Sequence, residues 1–237
     1  VERSRGLGDV YKRQFQSLKT LSYVQVRRIL RIWIQTIIPP AITTALYFLI
    51  FGELIGSRIG EMPGYEGLTY LEFMVPGLIM LAVITNSYAN VASAFFGAKF
   101  QKAIEEILIS PMANWAILLG FIAGGIARGV LVGVVVVLVS LFFTNFGISN
   151  IFLTLFSILL TSTLFSILGL INGMYAKTFD DISIVPTFVL TPLIYLGGIF
   201  YSIEILSDQW QFFSKINPIL YIVTVSYTHL TLPTKRI

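Results

Sequence analysis

ILLGFIAGGIARGVLVGVVVVLVSLFF, residues Ile117–Phe143, carries a single charge, Arg128, and as a helix it is long enough to cross a hydrocarbon core of about 30 Å. Two similar runs precede it, Ile32–Phe51 and Tyr70–Phe96, and two follow it, Ile151–Met174 and Ile184–Phe200. Short loops join the five, and no stretch is left over for a soluble domain. In lipid the backbone must satisfy its own polar groups, so the expected fold class is all-α: a polytopic membrane protein that works through its helices and through the loops at the two faces.

The two ends are set aside first. Ser4–Gln14 and Val225–Thr234 resemble in-frame translations of library adapters, so residues 1–14 and 225–237 are expected to be cloning scars and residues 15–224 the transmembrane domain. Six of the 16 basic residues and two of the 12 acids lie in these ends, leaving ten of each. The formal charge of +4 then has no functional meaning, and nothing points to nucleic acid. The only histidine, His229, goes with the C-terminal end, and there is no cysteine. Thiol or histidine catalysis, disulfides and a zinc or other metal site of that type are excluded for the rest.

Lys19, Arg27, Arg28 and Arg31 precede the first run, Lys99 and Lys102 lie between the second and third, and Lys177 between the fourth and fifth. The alternate loops hold only Arg58 and Lys215, among Glu53, Glu61, Glu66, Glu72, Glu204 and Asp208. The positive-inside rule therefore places the N-terminus in the cytoplasm. Asn217-Pro218-Ile219-Leu220-Tyr221 reads as the entry to a sixth helix that the C-terminal scar truncates.

Phe15–Arg31 mixes apolar and basic residues. It reads either as a connector helix in the interfacial plane or as a plain cationic flank of the first span. Gly97–Pro111 reads as a short amphipathic helix, with Phe100, Ile104, Ile107 and Leu108 on one face and Lys102, Glu105 and Glu106 on another. It is either a solvated loop or a docking helix for a soluble partner.

Asn86, Asn90 and Ser93 share one face of the second span; the readings are helix packing, a dimer seam, or a substrate path. Arg128 must snorkel, pair with a carboxylate, or mean that the helix enters the membrane later than Ile117. It reads either as part of an ion pair at the cytoplasmic gate, with Asp180 and Asp181 as first partners and Glu105 and Glu106 next, or as a substrate-binding cation. Gly120, Gly124, Gly125, Gly129 and Gly133 suit close helix approach. Pro39-Pro40, Pro76, Pro186 and Pro192 are expected to break or kink helices, and Gly197-Gly198 with Tyr195, Phe200 and Tyr201 to stop the fifth span early.

Phe73–Leu78, Asn86–Tyr88, Phe95–Pro111, Lys177–Asp181, Pro192–Tyr201 and Asn217–Tyr221, in that order, resemble the ABC-2 type transport permease family, most closely its bacterial inner-membrane branch. The resemblance implies a six-helix, type V exporter-like transmembrane domain of which five spans and part of a sixth are present. It also implies a homodimer in membrane lipid, docked on two separately encoded ABC ATPase subunits. On that footing Lys99–Ser110 is the coupling helix, with Lys99, Phe100, Lys102, Glu105 and Glu106 as contacts, and Ile203–Lys215 is a short amphipathic outer segment. ATP and Mg would be bound by the partner; no cofactor is expected on this chain, which has no glycine-rich phosphate loop and is not expected to be an enzyme. The implied activity is export of a hydrophobic or amphiphilic molecule. The rival is a self-sufficient channel or an ion-coupled carrier, which needs acids or a proton relay inside the spans.

Overall fold

The computed structural model describes residues 2–56, 69–144 and 150–230; Arg58, Glu61 and Glu66 of the expected outer loop lie outside them. In chain order the elements are α1 (Glu2–Arg31), α2 (Trp33–Ile50), a π-helical turn (Phe51–Gly56), α3 (Tyr70–Phe100) and α4 (Ala103–Ile109). Then come α5 (Asn114–Phe143), α6 (Ile151–Tyr175), α7 (Phe179–Val185), a second π-helical turn (Pro186–Leu190) and α8 (Thr191–Tyr195). A 3-10 turn (Ile203–Ile205), α9 (Asp208–Ile216) and α10 (Pro218–Leu230) complete the set.

Among the described residues four helices, α2, α3, α5 and α6, are long and apolar enough to cross a membrane, in agreement with the first four expected spans. The fifth differs. Its helical run starts at Phe179 and ends at Tyr195, and at 1.5 Å per residue it reaches about 26 Å. Thr178 and Asp181 form a capping box that starts it early. Pro186 and Pro192 cannot donate to the helical ladder, and the Thr191 N–H reaches five residues back to the Pro186 carbonyl, which is the π-helical turn. Gly198, at φ +70°, then reverses the chain. Pro39, Pro40 and Pro76 do not end their helices: α2 and α3 run on through them.

α3 is the axis of the bundle. A Thr69–Glu72 capping box starts it, and most of its side chains from Tyr70 to Phe96 are buried. A β-carbon added to Gly129 of α5 would run into the hydroxyls of Ser87 and Ser162; at Gly133 it would lie 2.9 Å from Val83 Cγ2 and 3.3 Å from Ile158 Cγ2. α5 is therefore antiparallel to both α3 and α6. α3 and α6 are parallel, because Gly169 lies on the Tyr88 carbonyl and Gly173 on the Ala92 carbonyl. The glycines expected on the third span do face other helices, while the Gly169-x-x-x-Gly173 spacing on the fourth went unread.

α1 does not lie flat. Leu21 packs on Gly120 and Gln25 on Gly124, so α1 advances along α5 in step with it over that turn. A bend at Ile32 hands the path to α2, and Phe48 stacks on Phe143 near the far end of α5 at 5.5 Å. A helix running beside a spanning helix cannot lie in the interfacial plane, which corrects the first reading of Phe15–Arg31. α10 packs on α3 and α6, its Ile219 N–H donating to Asn217 Oδ1 at 3.0 Å. It continues to Leu230, and Tyr227 stacks on Phe73 at 4.9 Å and donates to the Gly198 carbonyl at 3.1 Å.

Gly169→Ala pushes a methyl onto the Tyr88 carbonyl and is expected to cost about 1–3 kcal/mol. Gly97→Ala meets no atom within 4 Å and is expected to be neutral or slightly stabilising. Thermal unfolding of the two variants in the same detergent checks the difference.

Candidate functional site

Two places gather the candidate residues: the α4 end of the bundle, and a polar cavity beside Arg128. The link from α3 to α4 turns sharply at Lys102, whose φ of +58° is left-handed and carries roughly 1–2 kcal/mol of strain in a non-glycine residue. The helix that follows is therefore shorter than expected, Ala103–Ile109 rather than Lys99–Ser110. Ile104 and Ile107 hold it to a small apolar cluster with Val91, Ile117, Phe121 and Leu170. Its other side faces out: Lys102, Glu105 and Glu106 are exposed, and so are Leu108 and, at 86%, Ile109.

Two of the five expected contacts on this helix have intramolecular roles. Lys99 belongs to α3, and its Nζ donates to the carbonyls of Met174 (2.8 Å) and Ala176 (2.9 Å), capping the C-terminus of α6. Phe100 is exposed, yet it forms one side of an aromatic trio with Phe96 and Phe179, at centroid distances of 6.2 and 5.0 Å. Ile109 was missed because amphipathic counting ranks residues by the face of an ideal helix, whereas the Lys102 turn sets which face meets the bundle. Gln14 was missed as well, since it falls in the segment set aside as a scar. Its side chain donates to the Pro111 carbonyl (2.8 Å) and accepts from the Ala113 N–H (2.6 Å), tying α1 to the α4–α5 link.

Arg128 does not meet Asp180 or Asp181. The Asp181 carboxylate accepts from the backbone N–H groups of Lys177 (2.8 Å) and Thr178 (3.0 Å), and Asp180 is exposed beside it. Asp181 is thereby committed to the start of α7. Arg128 instead lines a cavity of about 260 Å³ with Gln35, Thr43, Thr44, Thr85 and Asn86, between α2, α3 and α5. The three polar residues expected on one face of α3 separate. Asn86 lines this cavity, Asn90 is buried and its Oδ1 accepts from Arg28 Nη2 at 3.4 Å, and Ser93 is exposed and donates to the Ala89 carbonyl. Asn86 and Asn90 thus turn toward helices of their own chain.

A second cavity, of about 380 Å³, opens between α3, α6, the α7–α8 run and α10. Its walls are almost wholly apolar, including Leu164, Leu168, Val189 and Leu193; Tyr88, Asn172 and Tyr175 are the lining residues with polar groups.

The chain matches the family described as ABC-2 type transporter over residues 16–228. It is 54% identical over 208 residues to the inner membrane transport permease YadH of Escherichia coli K12, covering 88% of this chain and 80% of that protein. It is 24% identical over 181 residues to nodulation protein J of Bradyrhizobium diazoefficiens, covering 76% of this chain and 67% of that one. To nodulation protein J of Rhizobium meliloti it is 26% identical over 178 residues, covering 74% and 67%.

Lys99→Ala frees two carbonyls at the end of α6, each losing a charge-assisted bond of roughly 1.5–3 kcal/mol before water compensates. Faster amide exchange over residues 172–178 is the expected outcome, read by hydrogen–deuterium exchange mass spectrometry against the parent chain.

Proposed function

The chain belongs to the ABC-2 type transporter family, and from that premise we propose that it is the transmembrane permease subunit of an ATP-binding cassette exporter. It works as a homodimer in the inner membrane with its N-terminus in the cytoplasm, and a separate ABC ATPase subunit binds ATP and Mg and drives it. The cargo is a hydrophobic or amphiphilic molecule. The location follows that of the inner membrane permease YadH, as its name gives it, and the orientation follows the basic residues of the α1 and α4 loops.

The observation that carries this reading is α4. It is a single short helix at one end of the bundle, held on its inner side by Ile104 and Ile107. Outward it offers two adjacent carboxylates, Glu105 and Glu106, with exposed Leu108 and Ile109 beside them. An apolar centre flanked by charge is the composition of a protein–protein contact, not of a solvated loop. The apolar cavity between α3, α6 and α10 supports a greasy cargo. The carrier reading has no such support: among the described residues with described side chains, every acid sits at a helix end or in a surface segment.

Glu105→Lys combined with Glu106→Lys is expected to weaken co-purification of an ABC ATPase by about tenfold or more. Glu204→Lys, on an exposed residue far along the chain, serves as control. Association unchanged by the double variant rejects α4 as the docking element.

A further inference from the structure

Arg128 sits eight residues beyond Gly120 on α5, about 12 Å along the helix, and among the acids with described side chains none is paired with it. Its Nε is buried without a hydrogen-bond partner. Among the described residues the charge that acts on it is another cation, Arg28. The packing explains why. Leu21 sits on Gly120 and Gln25 on Gly124, so the next turn of α1 brings Arg28 level with Arg128. The acids with described side chains are elsewhere: Glu72 in the cap of α3, Glu105 and Glu106 on the outside of α4, Asp180 and Asp181 at the start of α7, Glu204 in the 3-10 turn and Asp208 at the start of α9.

Two guanidinium groups at one level of a helix bundle are costly unless something negative joins them. The cavity next to Arg128 has the room and the polarity for such a group, with Gln35, Thr43, Thr44, Thr85 and Asn86 around it. Asn90, 3% exposed, accepts from Arg28 through its oxygen, while its Nδ2 is a buried donor with no partner. The neighbourhood therefore holds unspent donors on both α3 and α5. One acceptor is open as well, Gln25 Oε1, and the Gln25 amide can present its NH₂ in its place. At about 260 Å³ the space falls just short of the roughly 300–1,000 Å³ of pockets for whole small molecules, and it suits a headgroup. Planar guanidinium forks match the oxygens of a tetrahedral phosphate.

We infer that the cavity between α2, α3 and α5 binds a phosphate group, with Arg128 as its principal ligand and Arg28 as the second positive charge. The phosphate is that of a membrane amphiphile or free phosphate, and the site is separate from both the α4 surface and the apolar cavity. Arg27, one residue from Arg28, is exposed and does not line the cavity.

The test is native mass spectrometry of the full chain released from a neutral detergent and titrated with dioleoyl phosphatidylglycerol or dioleoyl phosphatidylcholine. The expected result is a preference of about tenfold for the anionic lipid, equal to about 1.4 kcal/mol, lost in Arg128→Gln and in Arg28→Gln and kept in Arg27→Gln. Helicity by circular dichroism and a monodisperse elution profile confirm that each variant folds. Should Arg128→Gln fail to fold, Arg28→Gln and Asn86→Ala decide the question. Inorganic phosphate at millimolar concentration identifies the source: displacement of the lipid means that free phosphate fills the site, and no displacement means that the site takes a lipid headgroup. Equal retention of the two lipids by the parent chain together with no effect of phosphate, or a preference for the anionic lipid that survives in the folded variants, overturns the inference. The assay contains no ATPase, so its failure leaves the docking role of α4 standing, and failure of that role leaves this result standing.

Discussion

Everything in this bundle depends on how closely the backbone of α5 and that of α6 can approach α3. Within a bilayer, packing helices together gains little from the hydrophobic effect, because lipid tails are as apolar as leucine; contact area and close approach have to supply the attraction. Here the approach is made by side chains that are missing. Gly125 and Gly129 leave room for Val91, Ser87, Ser162 and Ser166, and Gly169 and Gly173 rest on carbonyl groups of α3. Once those three helices are drawn together, α3 is enclosed on most sides, and α1, α2 and α10 can only pack around them.

That enclosure determines where the polar residues go. Asn86 and Asn90 lie on the side of α3 that neither α6 nor α10 covers, and they face α1, α2 and α5. The apolar and the polar cavity are thereby kept apart, on different sides of α3. One is lined by leucine, valine and aromatic side chains, the other by amides, hydroxyls and Arg128. A single chain thus offers two chemically unlike environments without any interruption of its central helix.

The α4 end is tied to the bundle in three ways. Ile104 and Ile107 join an apolar cluster that also receives Leu21 of α1; Gln14 bridges α1 to the residues between α4 and α5; Lys99 closes the end of α6. Through that cluster α4 touches Leu21 of α1 and Leu170 of α6, and α1 is also the helix that carries Arg28. The left-handed residue at Lys102 is the one strained joint in this linkage, and it lies between α3 and α4, where a pivot would bear the load.

The first four apolar runs, the glycines of the third span, the sixth-helix entry at Asn217-Pro218 and the short charged helix after the second span were legible from residue order alone, whereas the fifth run was placed five residues too late. Length, hydropathy and small-residue spacing are local properties, and they survive folding unchanged. The identity of partners across helices was not legible. Arg128 was expected opposite Asp180 and Asp181, Lys99 on the docking face, and Phe15–Arg31 flat at the interface, because each was judged by its neighbours in the chain. The structure pairs them by helix register instead: Lys99 with the end of α6, Asp181 with its own helix start, Arg28 with Asn90 and Arg128. Register across a bundle is set by which glycines admit which backbones, a property of three helices at once that no single run of sequence contains.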